Sequence, residues 1–388
     1  MKSNYKAIGE LVERIDERNR NGSITTLIGV SIDKKFIPSV ANIVGTDLTN
    51  YKVIRKYDFA VSLMQVSRDE KIPVACQKEY DAAIMSPAYP IFRVKDTNII
   101  MPEYLEMWFM RSEFDREASF VAVGGVRGSM PWEEFSKLKL PVPPLGEQIE
   151  IVQSYQAIAD RIALKKQIND NLLNQAQTYF CAVFADKDAE KPLPLDWKVA
   201  KVGDFCVDNI GNLSKADKYE TILYLDTGSI TENYIFELQE LHLLTDEIPS
   251  RAKRKAVDGD IIYSTVRPNL KHYGLLHNPP ENLIVSTGFA VLHNKGLGVT
   301  NDFLFMWLTN PSILDYLQAI AENSVSTYPS LNVSDLMNVE IIVPDENTLG
   351  KVTRFLRTVF SAISENNKQI QMLTRSLDTL LPKLLSSR

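Results

Sequence analysis

Two stretches combine residue types that suit nucleic acid. Arg251-Ala252-Lys253-Arg254-Lys255 is the densest basic cluster, and Arg267-Pro268-Asn269-Leu270-Lys271-His272-Tyr273 mixes cations, an amide and an aromatic. Cations neutralise phosphates, while forked or amide donors read base edges. A solvated face accounts for the first cluster equally well. Lys34, Lys35, Arg55, Lys56, Arg68, Lys71 and Arg127 offer the same chemistry earlier in the chain, although each alone reads as an ordinary surface charge. Arg127 stands out because it lies in Val123-Gly124-Gly125-Val126-Arg127-Gly128-Ser129, where glycines let the backbone approach a partner closely. A later loop, Asn323-Ser324-Val325-Ser326-Thr327-Tyr328, is rich in hydroxyls but has no cation.

Catalytic chemistry finds less support. Asn278-Pro279-Pro280-Glu281 approaches the Asn-Pro-Pro-aromatic pattern of adenine methyltransferases, in which the aromatic stacks on a flipped base. Glu281 cannot stack, and no glycine-rich cofactor loop follows a strand upstream. A proline turn before a strand at Leu283–Ser286 is the simpler reading. His242, His272, His277 and His293 show no metal spacing, and no cysteine has a neighbouring histidine that would mark a nucleophile. No catalytic residue and no metal site is therefore expected.

The 388 residues suggest two or three domains, and 45% hydrophobic content supports packed cores. A net charge of −6 argues mildly against a nucleic-acid binder, but binding uses a face rather than the average. Cys76, Cys181 and Cys206 are odd in number and far apart, which suggests reduced thiols in a cytoplasm. No apolar run is long enough for a membrane span, and the start lacks a signal-peptide core.

What would position the basic stretches is a pair of long helices. Steps of four and three through Glu147–Phe180 give Ile151, Tyr155, Ile158, Ile162, Lys165, Asn169, Leu172, Ala176, Tyr179 and Val183. The same steps through Thr348–Leu384 give Val352, Leu356, Val359, Ile363, Asn366, Ile370, Leu373, Leu377, Leu380 and Leu384. This 3.5-residue period is a coiled-coil seam, and the two lists keep one constant offset. Lys165, Asn169 and Asn366 interrupt it at mid-helix, where polar residues cost stability but fix register. Each helix would span roughly 50 Å.

Each helix also closes one copy of a repeat. Strands are predicted at Thr25–Ser31, within Val53–Val66, at Ile72–Cys76 and at Pro90–Val94, followed by a helix over Met101–Arg116. Asp58-Phe59-Ala60-Val61-Ser62 matches Asp260-Ile261-Ile262-Tyr263-Ser264, Leu105–Phe109 matches Leu304–Leu308, and Lys139–Pro143 matches Glu340–Pro344. Several matches in one order indicate an internal duplication. The expected layout is a module at 1–145, a helix at 146–186, a second module at 187–345 opening on a proline-bearing linker, and a helix at 346–388.

This plan resembles the specificity subunit of type I restriction-modification systems. The resemblance spans essentially the whole chain. Its most specific pieces are Leu140-Pro141-Val142-Pro143-Pro144-Leu145-Gly146-Glu147-Gln148, Asp258-Gly259-Asp260-Ile261-Ile262-Tyr263-Ser264-Thr265-Val266-Arg267-Pro268, and the module opening Trp197–Asp204. The second helix departs in lacking the double proline and Glu-Gln, and the first module has no direct equivalent of Arg267. The resemblance implies an α+β fold: two mixed α/β target-recognition domains separated by two long helices packed as an antiparallel coiled coil. It implies that each domain reads one half of a bipartite asymmetric DNA site, and it favours DNA contact at Arg267, Asn269, Lys271, His272 and Tyr273. It further implies that the helices set the spacing and dock two methyltransferase subunits. Those subunits use S-adenosylmethionine, this chain holding no cofactor, and a motor-nuclease subunit can join them. A coiled-coil adaptor without readout and a self-contained adenine methyltransferase are the competing expectations.

Overall fold

The computed structural model describes residues 4–39, 45–64, 66–122, 128–184, 193–214, 216–323 and 329–385. The chain forms two compact units, Met1–Arg161 with Leu373–Arg388, and Ile162–Met372. The architecture is mixed α+β, with sheet-rich modules and long helices that pack together.

The first unit is built on an antiparallel four-stranded sheet in the order Val12–Ile15, Ile91–Val94, Phe59–Val61, Val74–Cys76. Phe59, Phe92, Phe109, Phe114 and Phe135 fill its core, with Phe59 and Phe92 stacked at 5.2 Å. The helix expected over Met101–Arg116 is two helices, Pro102–Phe109 and Ser112–Val121. Arg111 between them is extended (φ −70°, ψ 139°), and the turn brings Phe109 and Phe114 to 5.0 Å. Tertiary packing of two aromatics overrides the helical period. Ile151, Leu381 and Leu385 from the long helices join this core.

The second unit repeats the plan. Its corresponding sheet runs Cys206–Asp208, Phe289–Asn294, Ile261–Ser264, Tyr273–Leu275, again antiparallel. The duplication extends to polar anchors. Asp58 is fully buried and accepts from the Arg55 amide (2.9 Å) and from Arg93 Nε (2.6 Å). Asp260, equally buried, accepts from the Val257 amide (2.8 Å) and pairs with His293 Nδ1 (2.8 Å). Lys95 Nζ donates to the Gly9 carbonyl (2.9 Å), as Lys295 Nζ does to that of Gly203 (2.6 Å). Both glycines are needed for close approach, since a Cβ on Gly203 would lie 3.0 Å from the Met337 carbonyl oxygen and one on Gly9 3.1 Å from Ser136 Cβ.

The second module adds a mixed sheet in the order Gln239–His242, Thr221–Leu225, Leu283–Ser286, Ala252–Lys255, with the central pair parallel. Asn278-Pro279-Pro280-Glu281 is the turn that leads into Leu283–Ser286, closed by the Leu283 amide on the Pro280 carbonyl (3.0 Å).

The long helices run Leu145–Phe184 and Glu346–Leu385, 40 residues each and about 60 Å. Within the second unit they pack antiparallel, with Lys165 opposite Asn366 and Tyr179 against Phe355 at 4.6 Å. Val352, Leu356, Val359, Ile363 and Ile370 of the seam are buried. The seam alone misses Phe180, Phe184 and Phe360, which are nearly fully buried and meet Phe303, Trp307 and Phe305 of the module. Here the helices face a module as well as each other, so the apolar stripe is wider than two positions per heptad.

Candidate nucleic-acid interface

The stretch at Arg267 is the hairpin tip joining Ile261–Ser264 to Tyr273–Leu275 in the second module's sheet. A short turn, Pro268–Leu270, is flanked by two residues in the left-handed region, Arg267 (φ 48°) and Lys271 (φ 56°). Neither is glycine, so each costs on the order of 1 kcal/mol or more and persists only because the surroundings fix it. Those surroundings are visible. The Arg267 amide donates to the Pro329 carbonyl (3.0 Å), the Asn269 amide to Gln318 Oε1 (3.1 Å), and the Lys271 ammonium pairs with Glu232. Arg267, Asn269 and Lys271 remain exposed. The tip is therefore a loop whose backbone is fixed by its surroundings and on which Arg267, Asn269 and Lys271 are exposed, the last paired with Glu232.

The aromatic at its end has another role. Tyr273 is buried, stacked on Tyr263 at 5.5 Å, and burial pushes its hydroxyl well above the ordinary range. Its ring belongs to the core, not to a surface. His272 is half-buried, with Nδ1 2.6 Å from the Ile230 carbonyl oxygen.

The basic strand Ala252–Lys255 alternates in use. Arg251 and Lys253 are exposed. Arg254 turns inward to the Phe289 carbonyl (2.6 Å) and Asp208, and Lys255 pairs with Asp217. A register shift between Ala252 and Arg254 marks a bulge, the usual device for re-aiming a strand side chain.

In the first module the structure separates the expected cations. Lys34 is buried, its ammonium held by Asp115 (2.8 Å) and the Phe109 carbonyl, and burial lowers its pKa. It is a core ion pair and does not face solvent. Arg55 forms a forked pair with Glu17, and Arg68 pairs with Asp69 (Nε–Oδ1 2.7 Å), both exposed. Lys35, Lys56 and Lys71 are exposed. Arg127 and residues 123–126 of its loop lie outside the described residues, as do 324–328 of the hydroxyl-rich loop and most of the proline-bearing linker.

At mid-helix the three seam residues meet. Lys165 Nζ donates to Asn366 Oδ1 (3.1 Å), and Asn366 Nδ2 donates to Asn169 Oδ1 (2.9 Å). Sequence reading missed the fourth member, Asn367, which accepts from Asn169 Nδ2 (2.8 Å). Its position one residue off the seam hid it; the Asn366-Asn367 pair was the available signal.

No group of three or more metal-ligating side chains has suitable geometry among the described residues, and no helix there is long and apolar enough to cross a membrane. Burial pushes the Cys206 thiol up to about 12 and raises that of Cys76 too.

The chain thus combines two modules built on one plan, long helices carrying a polar layer, and an exposed hairpin tip bearing Arg267 and Lys271. The family model of the type I restriction modification DNA specificity domain matches twice, over residues 42–174 and 194–375, and the chain belongs to that family. It is 26% identical over 185 residues to the specificity subunit of the type I restriction enzyme HindI from Haemophilus influenzae, covering 48% of this chain and 40% of that protein. It is 24% identical over 309 residues to the MjaIX specificity subunit of Methanocaldococcus jannaschii, covering 74% of this chain and 68% of that one. The chain thus spans less than half the length of the HindI subunit. The crystal structure of a type I restriction-modification S subunit from M. genitalium shares the fold, with a TM-score of 0.59 at 13% identity over 100% of this chain and 97% of that chain.

Proposed function

We propose that this chain is the sequence-reading subunit of a type I restriction-modification complex. The modules at 1–145 and 187–345 each read one half of a bipartite DNA site. The helices at 146–186 and 346–388 set the spacing between the halves and dock two methyltransferase subunits. Methylation, with S-adenosylmethionine as donor, and cleavage by a motor-nuclease subunit belong to those partners, and this chain contributes no catalytic group. The observation that carries the reading is the match of the specificity-domain model to both copies of the repeat.

In the second module the geometry supports Arg267 and Asn269 for base edges, with Lys271, Arg251 and Lys253 for phosphates, since all five are exposed. Arginine forks to guanine, and amides pair with adenine, in the major groove. The complete complex occurs in the cytoplasm.

The test is a map of methylated adenines in the source genome with and without this gene. A split motif that disappears with the gene is the expected result. An unchanged methylation pattern, together with equal binding of the complex to unrelated duplexes, overturns the reading.

A further inference from the structure

Beside the Arg267 tip lies a second, smaller hairpin, Ile230–Thr231 paired with Tyr234–Ile235. Its two turn residues, Glu232 (φ 46°) and Asn233 (φ 67°), are both left-handed, the conformation of a tight two-residue turn. Asparagine tolerates this; glutamate does so only at a cost. The contacts that hold Glu232 all lead to the Arg267 tip. Its carboxylate pairs with Lys271, its amide donates to the Lys271 carbonyl (2.9 Å), and the Asn233 amide donates to that of Tyr273 (2.9 Å). Asn233 Oδ1 accepts from the Leu275 amide (2.8 Å), and His272 reaches the Ile230 carbonyl. Gly274 makes room, since a Cβ there would lie 2.6 Å from Ile230 Cδ1.

The other side of this hairpin faces the long helices. Asn367 Nδ2 donates to the Asn233 carbonyl (3.4 Å), Gln371 Nε2 reaches that of Ile235 (3.5 Å), and Lys166 Nζ lies 5.1 Å from the Tyr234 ring centre. Each of these is weak alone, but they act on one six-residue element, Ile230–Ile235. Asn367 is also the member of the polar layer that binds Asn169. A continuous chain of polar contacts therefore runs from Lys271 through Glu232 and Asn233 to Asn367, Asn169, Asn366 and Lys165.

We propose that the Ile230–Ile235 hairpin is a strut that ties the second module's reading tip to the polar layer of the helix pair, with Glu232, Asn233, Asn367 and Gln371 as positioning residues. This rests on the DNA-reading function for its consequence, but not for its mechanics. One base-pair step moves a half-site by about 3.4 Å. A tip that drifts relative to the helices cannot reject such a step; a strutted one can.

The experiment uses the full chain, alone and assembled with its methyltransferase partner. The variant is Asn367→Ala with Gln371→Ala; a second is Asn233→Gly, which keeps the turn conformation and removes the bond to Leu275. Gln369→Ala, whose partner Glu365 is on the same helix, is the control. Hydrogen exchange at the Glu232, Asn233 and Leu275 amides should rise about tenfold in both variants and not in the control. Methylation should then lose about fivefold in discrimination against a spacer one base pair too long or short, with base preference in each half-site unchanged. Unchanged exchange overturns the strut whatever the DNA result, and faster exchange with full spacer discrimination overturns its positioning role. Faster exchange in a chain whose wild-type complex selects no sequence leaves the strut standing and removes the DNA-reading function instead.

Discussion

Lys165 donates to Asn366 across the helix pair at 3.1 Å, and Asn366 in turn donates to Asn169. A polar layer within an apolar seam aligns in one register only, because any slip leaves its donors facing leucine or isoleucine. Asn366→Leu should therefore destabilise the second unit by about 1–2 kcal/mol, through the stranded Lys165 and Asn169 partners. Replacing Lys165, Asn169 and Asn366 together by leucine should recover that loss or exceed it while broadening the accepted spacer lengths. Thermal melts paired with methylation of spacer-length variants check both parts.

Arg267 is the exposed fork of the strained tip. Arg267→Ala should weaken DNA binding by about 1–3 kcal/mol with relaxed choice at one base if the fork reads guanine. If it holds a phosphate, the loss should be uniform across sequences and the salt slope should fall by about one. Affinities for the cognate and for single-substituted duplexes at two salt concentrations separate these outcomes. Unchanged affinity at both salts removes Arg267 from the interface.

Lys34 and its neighbour Lys35 should part company. Lys34 is buried against Asp115, whereas Lys35 is exposed. Lys34→Met leaves the Asp115 carboxylate without its cation and should cost about 3 kcal/mol or more of stability. Lys35→Met should leave the melting midpoint within experimental error. Denaturant titration of both variants reads the contrast.

The duplicated plan was legible because its signals are periodic or positional. The seam repeats every 3.5 residues, and Asp58 and Asp260 sit at the same step before equivalent strands. Burial of individual charges was not legible. Lys34 and Lys35 are adjacent cations in a turn, and only the distant Asp115 and Phe109 distinguish them. Tyr273 read as a surface aromatic because it follows Lys271 and His272, yet the strand's alternation turns it inward onto Tyr263. The break at Arg111 escaped for a similar reason: nothing local interrupts the helical pattern, and the gain comes from packing Phe109 on Phe114.

Asp58 and Asp260 offer a comparison inside one chain, with Arg93 as partner in the first unit and His293 in the second. His293→Ala should destabilise the second unit by about 1–3 kcal/mol, since Asp260 keeps only the Val257 amide. His293→Arg should restore it, because arginine fills the equivalent place beside Asp58. Melting curves of the two variants decide the matter; equal losses would mean that the histidine's shape, not its donor, is what the turn requires.

Asp302 opens the helix Asn301–Leu308 and is buried, with Oδ1 lacking a protein partner among the described residues. His277 Nε2 and Thr300 Oγ1 are likewise unpartnered and line the same cavity of about 210 Å³. Burial raises the Asp302 pKa, opposed by His277 and Arg357. A carboxyl whose folded value is raised is held protonated by the native state, so its contribution to stability falls as pH rises from the ordinary carboxylate range through the raised value. Asp302→Asn removes that fall. The variant should match the wild type at acidic pH, where both side chains are neutral, and exceed it at neutral pH by about 1 kcal/mol, the lower end of the cost of a stranded buried acceptor. Melts across the pH range give the difference curve, and a flat difference would mean that the Arg357 charge already compensates the carboxylate fully.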